Sequence, residues 1–261
     1  MLLGIYLLVG AGAGVLAGLL GVGGGVVIVP VLVWVFRHDG FDDSLLMQIA
    51  VGTSLGTIVV TSLSSIRAHQ RRGAIVWPIV LRLSPGIVAG AWLGAVIADA
   101  LPSLWLQRVF ACFIILVGIQ MATGRQPLGG GTLPGTVGML SAGGAIGTLS
   151  ALVGIGGGSL TVPFLSWAGI RMRNAVATSA ACGLPIALAG SFGFVVEGWD
   201  NPALPTGSSG YLYWPALLGI VCASFLTAPV GARLAHSLPV RSLKRVFALL
   251  LLVLGVRMLM G

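Results

Sequence analysis

Apolar residues run along this chain in long blocks separated by short polar stretches. In the first half the blocks fall at 2–20 with 24–36, then 44–66, 74–98 and 103–121. In the second half they fall at 134–153 with 157–168, then 174–197, 211–236 and 240–260. At roughly 20 residues per membrane-crossing helix, most of these blocks can span a bilayer. Glycine and proline inside them are tolerable, because neighbouring helices in a bundle re-satisfy the backbone. The pattern predicts an all-α polytopic membrane protein.

Composition agrees and narrows the alternatives. Of 261 residues, 57% are hydrophobic and 8% charged, against about 25% charged in soluble domains. The 14 Lys+Arg and 6 Asp+Glu are too few to coat a soluble globule of this size, which excludes a soluble enzyme. The net charge of +8 belongs to cytoplasmic loops rather than to a nucleic-acid footprint. Cys112, Cys182 and Cys222 lie inside apolar blocks with no CxxC pair, so neither a disulfide framework nor a zinc site is indicated. The opening MLLGIYLLVGAGAG lacks a positively charged n-region and reads as a retained membrane segment.

The blocks repeat. GVGGGVVIVPVLVW at 21–34 returns as GIGGGSLTVPFLSW at 154–167, identical at 8 of 14 positions. AVGTS at 50–54 returns as AVATS at 175–179. Trp77-Pro78 matches Trp214-Pro215, Leu101-Pro102 matches Leu238-Pro239, and RVFA at 108–111 matches RVFA at 245–248, all at a spacing of 137 residues. Two homologous halves follow, 1–122 and 135–261, joined by the polar, Gly-rich linker 123–134.

Loop charges orient the halves. Arg67, Arg71 and Arg72 make the loop before Trp77 positive, hence cytoplasmic. Its counterpart, 197–210, holds Glu197 and Asp200 and no Lys or Arg. One loop earlier, three aspartates at 37–43 face Arg171 and Arg173 in the repeat, and Asp99 is answered by Arg233, Arg241, Lys244 and Arg245. Every comparison changes sign, so the halves are expected to be inverted, with an odd number of net crossings each. The block after each GxGGG is about 12 or 13 residues, roughly 18–20 Å as helix, too short for a hydrocarbon core of about 30 Å. Each half is therefore expected to contain a GxGGG-interrupted helical hairpin plus three transmembrane helices, with both termini extracytoplasmic.

Inverted repeats with broken helices and a midplane site are a recurrent design of secondary transporters. Two GxGGG turns would bring two short-helix starts towards one centre. There the free amides and the positive dipole end can hold an anion without a lysine. This makes Gly23, Gly24 and Gly25, with Gly156, Gly157 and Gly158, candidate substrate-binding residues. Close helix packing around a tight turn is the alternative. Thr53 and Ser54, with Thr178 and Ser179, are placed to add hydroxyls, although such residues often bond their own or a neighbouring backbone. Cys182, one turn beyond Thr178, reads first as a packed thiol and second as a ligand contact. Arg82 is the charge expected well inside a block, about 12 Å along a helix starting near Ala74. It is a functional candidate whose long side chain could instead snorkel to the surface.

Other chemistry is absent from the pattern. Small residues at four-residue spacing, such as Gly10 and Gly14, or Gly86, Gly90 and Gly94, read as helix contacts. His38, His69 and His236 are expected in loops, and Glu197 is the sole glutamate, so a proton relay lacks its usual groups. There is no HExxH or GxxxxGK[ST]. No cofactor, metal or enzymatic activity is expected.

GLLGVGGGVVIVPVL, AVGTSLGTIVVTSLSS, GIGGGSLTVPFL and AVATSAACGLP resemble the sulfite exporter TauE/SafE family, also called the 4-toluene sulfonate uptake permeases. The resemblance spans both halves. It implies a multi-pass inner-membrane transporter for small sulfur-containing anions such as sulfite, thiosulfate, sulfonates or sulfoacetate, working in a lipid bilayer without nucleic acid. A homodimer is compatible with it. Carried over position by position, it points to the same two glycine turns and to Thr53, Ser54, Thr178 and Ser179. Ala177 stands where the first half has Gly52, so the two motifs need not contribute equally. Alternating access is the expected mechanism. A gated anion channel, or a permease for another small oxyanion, is the alternative.

Overall fold

The computed structural model describes residues 2–20, 24–123, 131–237 and 240–260, with side chains over 4–15, 24–123, 131–227 and 246–260. Gly23 and most of the linker 123–134 lie outside the described residues. The fold is almost wholly helical: α1 (Leu2–Leu20), α2 (Gly25–His38), α3 (Leu46–Gln70), α4 (Trp77–Ala100), α5 (Ser103–Thr123), α6 (Thr136–Val153), α7 (Gly158–Trp167), α8 (Met172–Glu197), α9 (Trp214–Ser237) and α10 (Val240–Met260). Among the described residues, α3, α4, α5, α6 and α8 are long and apolar enough to cross a membrane. The chain is an all-α, multi-pass membrane protein.

Each short helix follows a glycine turn. At the second turn, Gly154 adopts φ +67°, and Ile155 N–H reaches the Ser150 carbonyl at 3.0 Å while Gly154 N–H reaches Ala151 at 3.3 Å. This paired closure satisfies the last carbonyls of α6 and turns the chain directly into α7. α2 has 14 residues and α7 has 10. α2 packs on α3, and α7 packs on α8.

The main packing joins the two halves. α1 packs on α9, and α6 packs on α4. The glycines make both crossings close: a Cβ on Gly10 would lie 2.6 Å from the Ile220 carbonyl oxygen, and one on Gly143 would lie 2.5 Å from that of Leu83. In a bilayer there is no hydrophobic drive between helices, so small residues that let backbones touch supply the packing. α3 packs on α8, and hydrogen bonds show them antiparallel. The start of α8 meets the chain beyond α3 through Asn174 Nδ2 and the Ala74 carbonyl at 3.1 Å. At the other end, Tyr213 N–H meets Thr53, near the start of α3, while Tyr211 N–H meets the Phe194 carbonyl near the end of α8. α5 and α10 are antiparallel too, with Gln107 Nε2 donating to the Met258 carbonyl at 2.7 Å.

Three local details differ from the sequence expectation. The loop 197–210 leads into a small antiparallel hairpin, β1 (Ser208–Ser209) with β2 (Leu212–Tyr213), packed on α3, α8 and α9. α4 begins at Trp77 rather than near Ala74, because Val76 is non-helical and Pro78 sits in the first turn. His38, His69 and His236 belong to the final turns of helices rather than to loops.

Candidate functional site

The two glycine turns meet in the interior. Gly24 precedes α2, and its carbonyl accepts the amides of Val27 and Ile28, each at 3.0 Å. Gly25 opens α2 and is buried; a Cβ there would run into the carbonyl oxygen of Gly154 in the opposite half. Ser54 Oγ donates to that same carbonyl at 2.9 Å. Ile58, one turn on, lies between the turns: its Cδ1 would be 3.1 Å from a Cβ on Gly25 and its Cγ2 3.0 Å from one on Gly156. On the far side, a Cβ on Gly183 of α8 would stand 2.8 Å from the Gly156 carbonyl oxygen.

Gly157 caps α7 in the left-handed region, φ +73°, where a side chain would be strained and would also collide with Ile186. Gly158 begins α7. Neither α2 nor α7 has a side-chain hydrogen bond capping its start. Among the described residues, nothing caps the first amides of either helix, and both turn a positive dipole end towards the junction.

The paired Thr-Ser motifs divide the work. Thr53 Oγ1 accepts the N–H of Tyr213 at 3.0 Å, and Thr178 Oγ1 accepts that of Val76 at 3.1 Å. Tyr213 and Val76 are equivalent positions, each just before a Trp-Pro pair, so each threonine fastens the helix start of the other half. Ser179 Oγ donates to its own helix at the Val176 carbonyl, 2.9 Å away. Cys182 is fully buried. Its counterpart Thr57 donates to the Ser54 carbonyl at 2.7 Å.

Arg82 is not brought to the turns. It is exposed among Leu81, Val88, Trp92, Leu93 and Val96, an apolar outward stripe of α4. The later helix start leaves it about 7.5 Å from the start of α4, within reach of the surface by snorkelling.

Among the described residues no charged side chain is buried, and no group of three His, Cys, Asp or Glu could hold a metal ion. Charged contacts lie at the ends of the bundle. Arg37 pairs with Asp43 at 3.4 Å, and Tyr211 Oη donates to Asp99 Oδ1 at 2.6 Å. Burial, helped by the Asp99 bond, pushes the Tyr211 phenol up to about 12. Sequence reasoning passes over Ile58 and Gly183. They occupy equivalent positions in the repeat, and that size difference between matched positions is the signal that could have found them.

Comparison with known proteins agrees with this architecture. The sulfite exporter TauE/SafE family profile matches residues 6–258. A probable membrane transporter protein of Haemophilus influenzae is 41% identical over 255 residues, covering 97% of both chains. One of Methanocaldococcus jannaschii is 27% identical, covering 100% of this chain and 96% of its own. YunE of Bacillus subtilis, another probable membrane transporter protein, is 26% identical, covering 98% and 96%. No solved structure matches this chain. With a match that takes in both glycine turns and nearly every helix, the chain belongs to the sulfite exporter TauE/SafE family of membrane transporters.

Proposed function

We propose that this protein is a secondary transporter that moves a small sulfur-containing anion, of the sulfite, thiosulfate, sulfonate or sulfoacetate class, across the inner membrane by alternating access. The carrying observation is the contact of Gly25 with the Gly154 carbonyl. It sets the starts of two uncapped short helices beside one buried junction, where no charged side chain is buried among the described residues. Backbone amides of Gly24, Gly25, Gly156, Gly157 and Gly158 are the groups offered to the anion, with Ser54 bracing one turn and Thr53 and Thr178 tying the halves together. Cys182 packs behind the site, and Arg82 serves the cytoplasmic surface.

In this reading residues 1–122 and 135–261 are inverted repeats. The exchanged pairing of α1 with α9 and α6 with α4, and the antiparallel α3–α8 and α5–α10 pairs, support that. Both termini are then extracytoplasmic, and a C-terminal reporter active only in the cytoplasm should stay silent. The deciding experiment is uptake of radiolabelled sulfite and thiosulfate into proteoliposomes. The wild-type protein should show saturable uptake, and correctly inserted Gly24→Leu and Gly157→Leu variants should lose it. Wild-type rates in both variants would remove the site assignment, and single-channel conductance without saturation would make the protein a channel.

A further inference from the structure

Three hydroxyls around the second turn have no hydrogen-bond partner among the described residues: Ser150 Oγ near the end of α6, and Ser159 Oγ and Thr161 Oγ1 in the first turn of α7. Ser150 is 1% exposed and Thr161 0%. Helical Ser and Thr usually discharge the hydroxyl on a carbonyl three or four residues back, as Thr57 and Ser84 do here. Ser150 and Thr161 also converge. A Cβ on Gly157 would lie 3.4 Å from Thr161 Oγ1 and 3.5 Å from Ser150 Oγ. Both oxygens thus face a residue that has no side chain. At the same point α7 begins. The Gly157 carbonyl takes the amides of Leu160 and Thr161 at 3.1 and 2.7 Å, while those of Gly158 and Ser159 have no acceptor among the described residues.

The repeat shows that packing does not require these hydroxyls. Aligned on the glycine turns, Ser150, Ser159 and Thr161 stand where the first half has Ala17, Val26 and Ile28. Val26 and Ile28 are buried, so an apolar set serves the same fold. Burying a hydroxyl without a partner costs about 1–3 kcal/mol. Three such groups around one glycine turn, and apolar residues around the equivalent turn, are the asymmetry expected if the second turn receives a ligand.

We infer that the second-half turn is the principal anion seat: a compact oxyanion accepts hydrogen bonds there from Ser150, Ser159 and Thr161 and from the amides of Gly158 and Ser159. The first-half turn offers backbone amides at Gly24 and Gly25 but adds no side-chain donor. Free amides at the positive end of a helix turn away a cation, and several directional donors fit an anion with several oxygens better than a spherical halide. This inference rests on the anion-transport reading above.

The test uses the full chain in proteoliposomes with sulfite, thiosulfate and, as competitor, chloride. Thr161→Val and Ser150→Ala should each raise KM about tenfold or more, the loss expected for a hydrogen bond to a charged group. Thr161→Ser, which restores the hydroxyl, should stay near wild type, as should Ile28→Val at the matched position of the first half. The ligand-free melting temperature of Thr161→Val should not fall, because the variant removes an unpaired polar group. Wild-type KM in both Thr161→Val and Ser150→Ala, or chloride competing as well as thiosulfate, would overturn the inference while leaving anion transport in place. A wild-type protein that carries neither sulfite nor thiosulfate would overturn the transport reading and this inference together.

Discussion

Thr53 Oγ1 receives the backbone N–H of Tyr213 at 3.0 Å, a bond between residues 160 apart in sequence that fastens the start of α9 to α3 of the opposite half. Thr178 does the same for Val76 at the start of α4. Thr53→Val keeps the shape but leaves the Tyr213 amide buried without an acceptor, which should cost about 1–3 kcal/mol. Thr178→Val, at a site less completely buried, should cost about 1 kcal/mol. The two bonds lie at opposite ends of the antiparallel α3–α8 pair, so the double variant should be additive within about 0.5 kcal/mol. Thermal unfolding in detergent measures the cost, and KM should hardly change. A raised KM at unchanged stability would instead give these hydroxyls to the substrate.

The turn at Gly157 should tolerate no side chain. Gly157→Ala must pay for the left-handed backbone, about 1–2 kcal/mol, and must also displace Ile186. Gly12, in α1, has nothing within 4 Å of a built Cβ, so Gly12→Ala should be neutral or stabilise by up to about 1 kcal/mol. Melting temperatures of the two variants should move in opposite directions or, at the least, differ by more than the backbone strain. Equal behaviour would mean that Gly157 is not held in the conformation described.

Much of this was legible in the sequence because it rests on local constraints. Gly154 and Gly157 need positive φ, Pro30 and Pro163 recur at matched places in α2 and α7, and a block of 10 to 14 residues is too short to span whatever surrounds it. Partnerships across the fold were not legible. Nothing near Thr53 announces Tyr213, and a stretch rich in Pro, Gly and Ser reads as loop even where residues 208–213 form a hairpin. The orphan hydroxyls of Ser150 and Thr161 look like ordinary helix serines and threonines until their partners are sought.

Tyr211 ties that hairpin to α4 through Asp99, and its phenol is raised from 10.0 to about 12 by burial first and the Asp99 bond second. A raised pKa means the folded protein holds the proton more tightly than the unfolded chain. The contribution is therefore intact below about pH 10 and is lost as pH climbs towards about 12. Melting curves across that window should fall for the wild type and fall less for Tyr211→Phe, which in turn should melt lower at neutral pH for want of the Asp99 bond. An identical alkaline slope in both proteins would show that Tyr211 is not shielded in this way.

Arg82 distinguishes a charge that meets substrate from one that anchors a helix. It sits on the outward stripe of α4 with Leu81, Trp92 and Leu93, five residues after the helix start at Trp77, and ahead of it come Arg67 in the last turn of α3 and Arg71 and Arg72 just beyond it. A guanidinium there can reach the interface along its own aliphatic stem, adding to the positive side of the membrane. Arg82→Gln should leave KM near the wild-type value and act instead on membrane insertion, lowering the amount of correctly oriented protein. Arg82→Lys, which keeps the charge and a long stem, should restore that amount. A rise in KM of about tenfold or more for Arg82→Gln, the loss expected from one charged hydrogen bond, would place the guanidinium on the substrate path despite its exposed position.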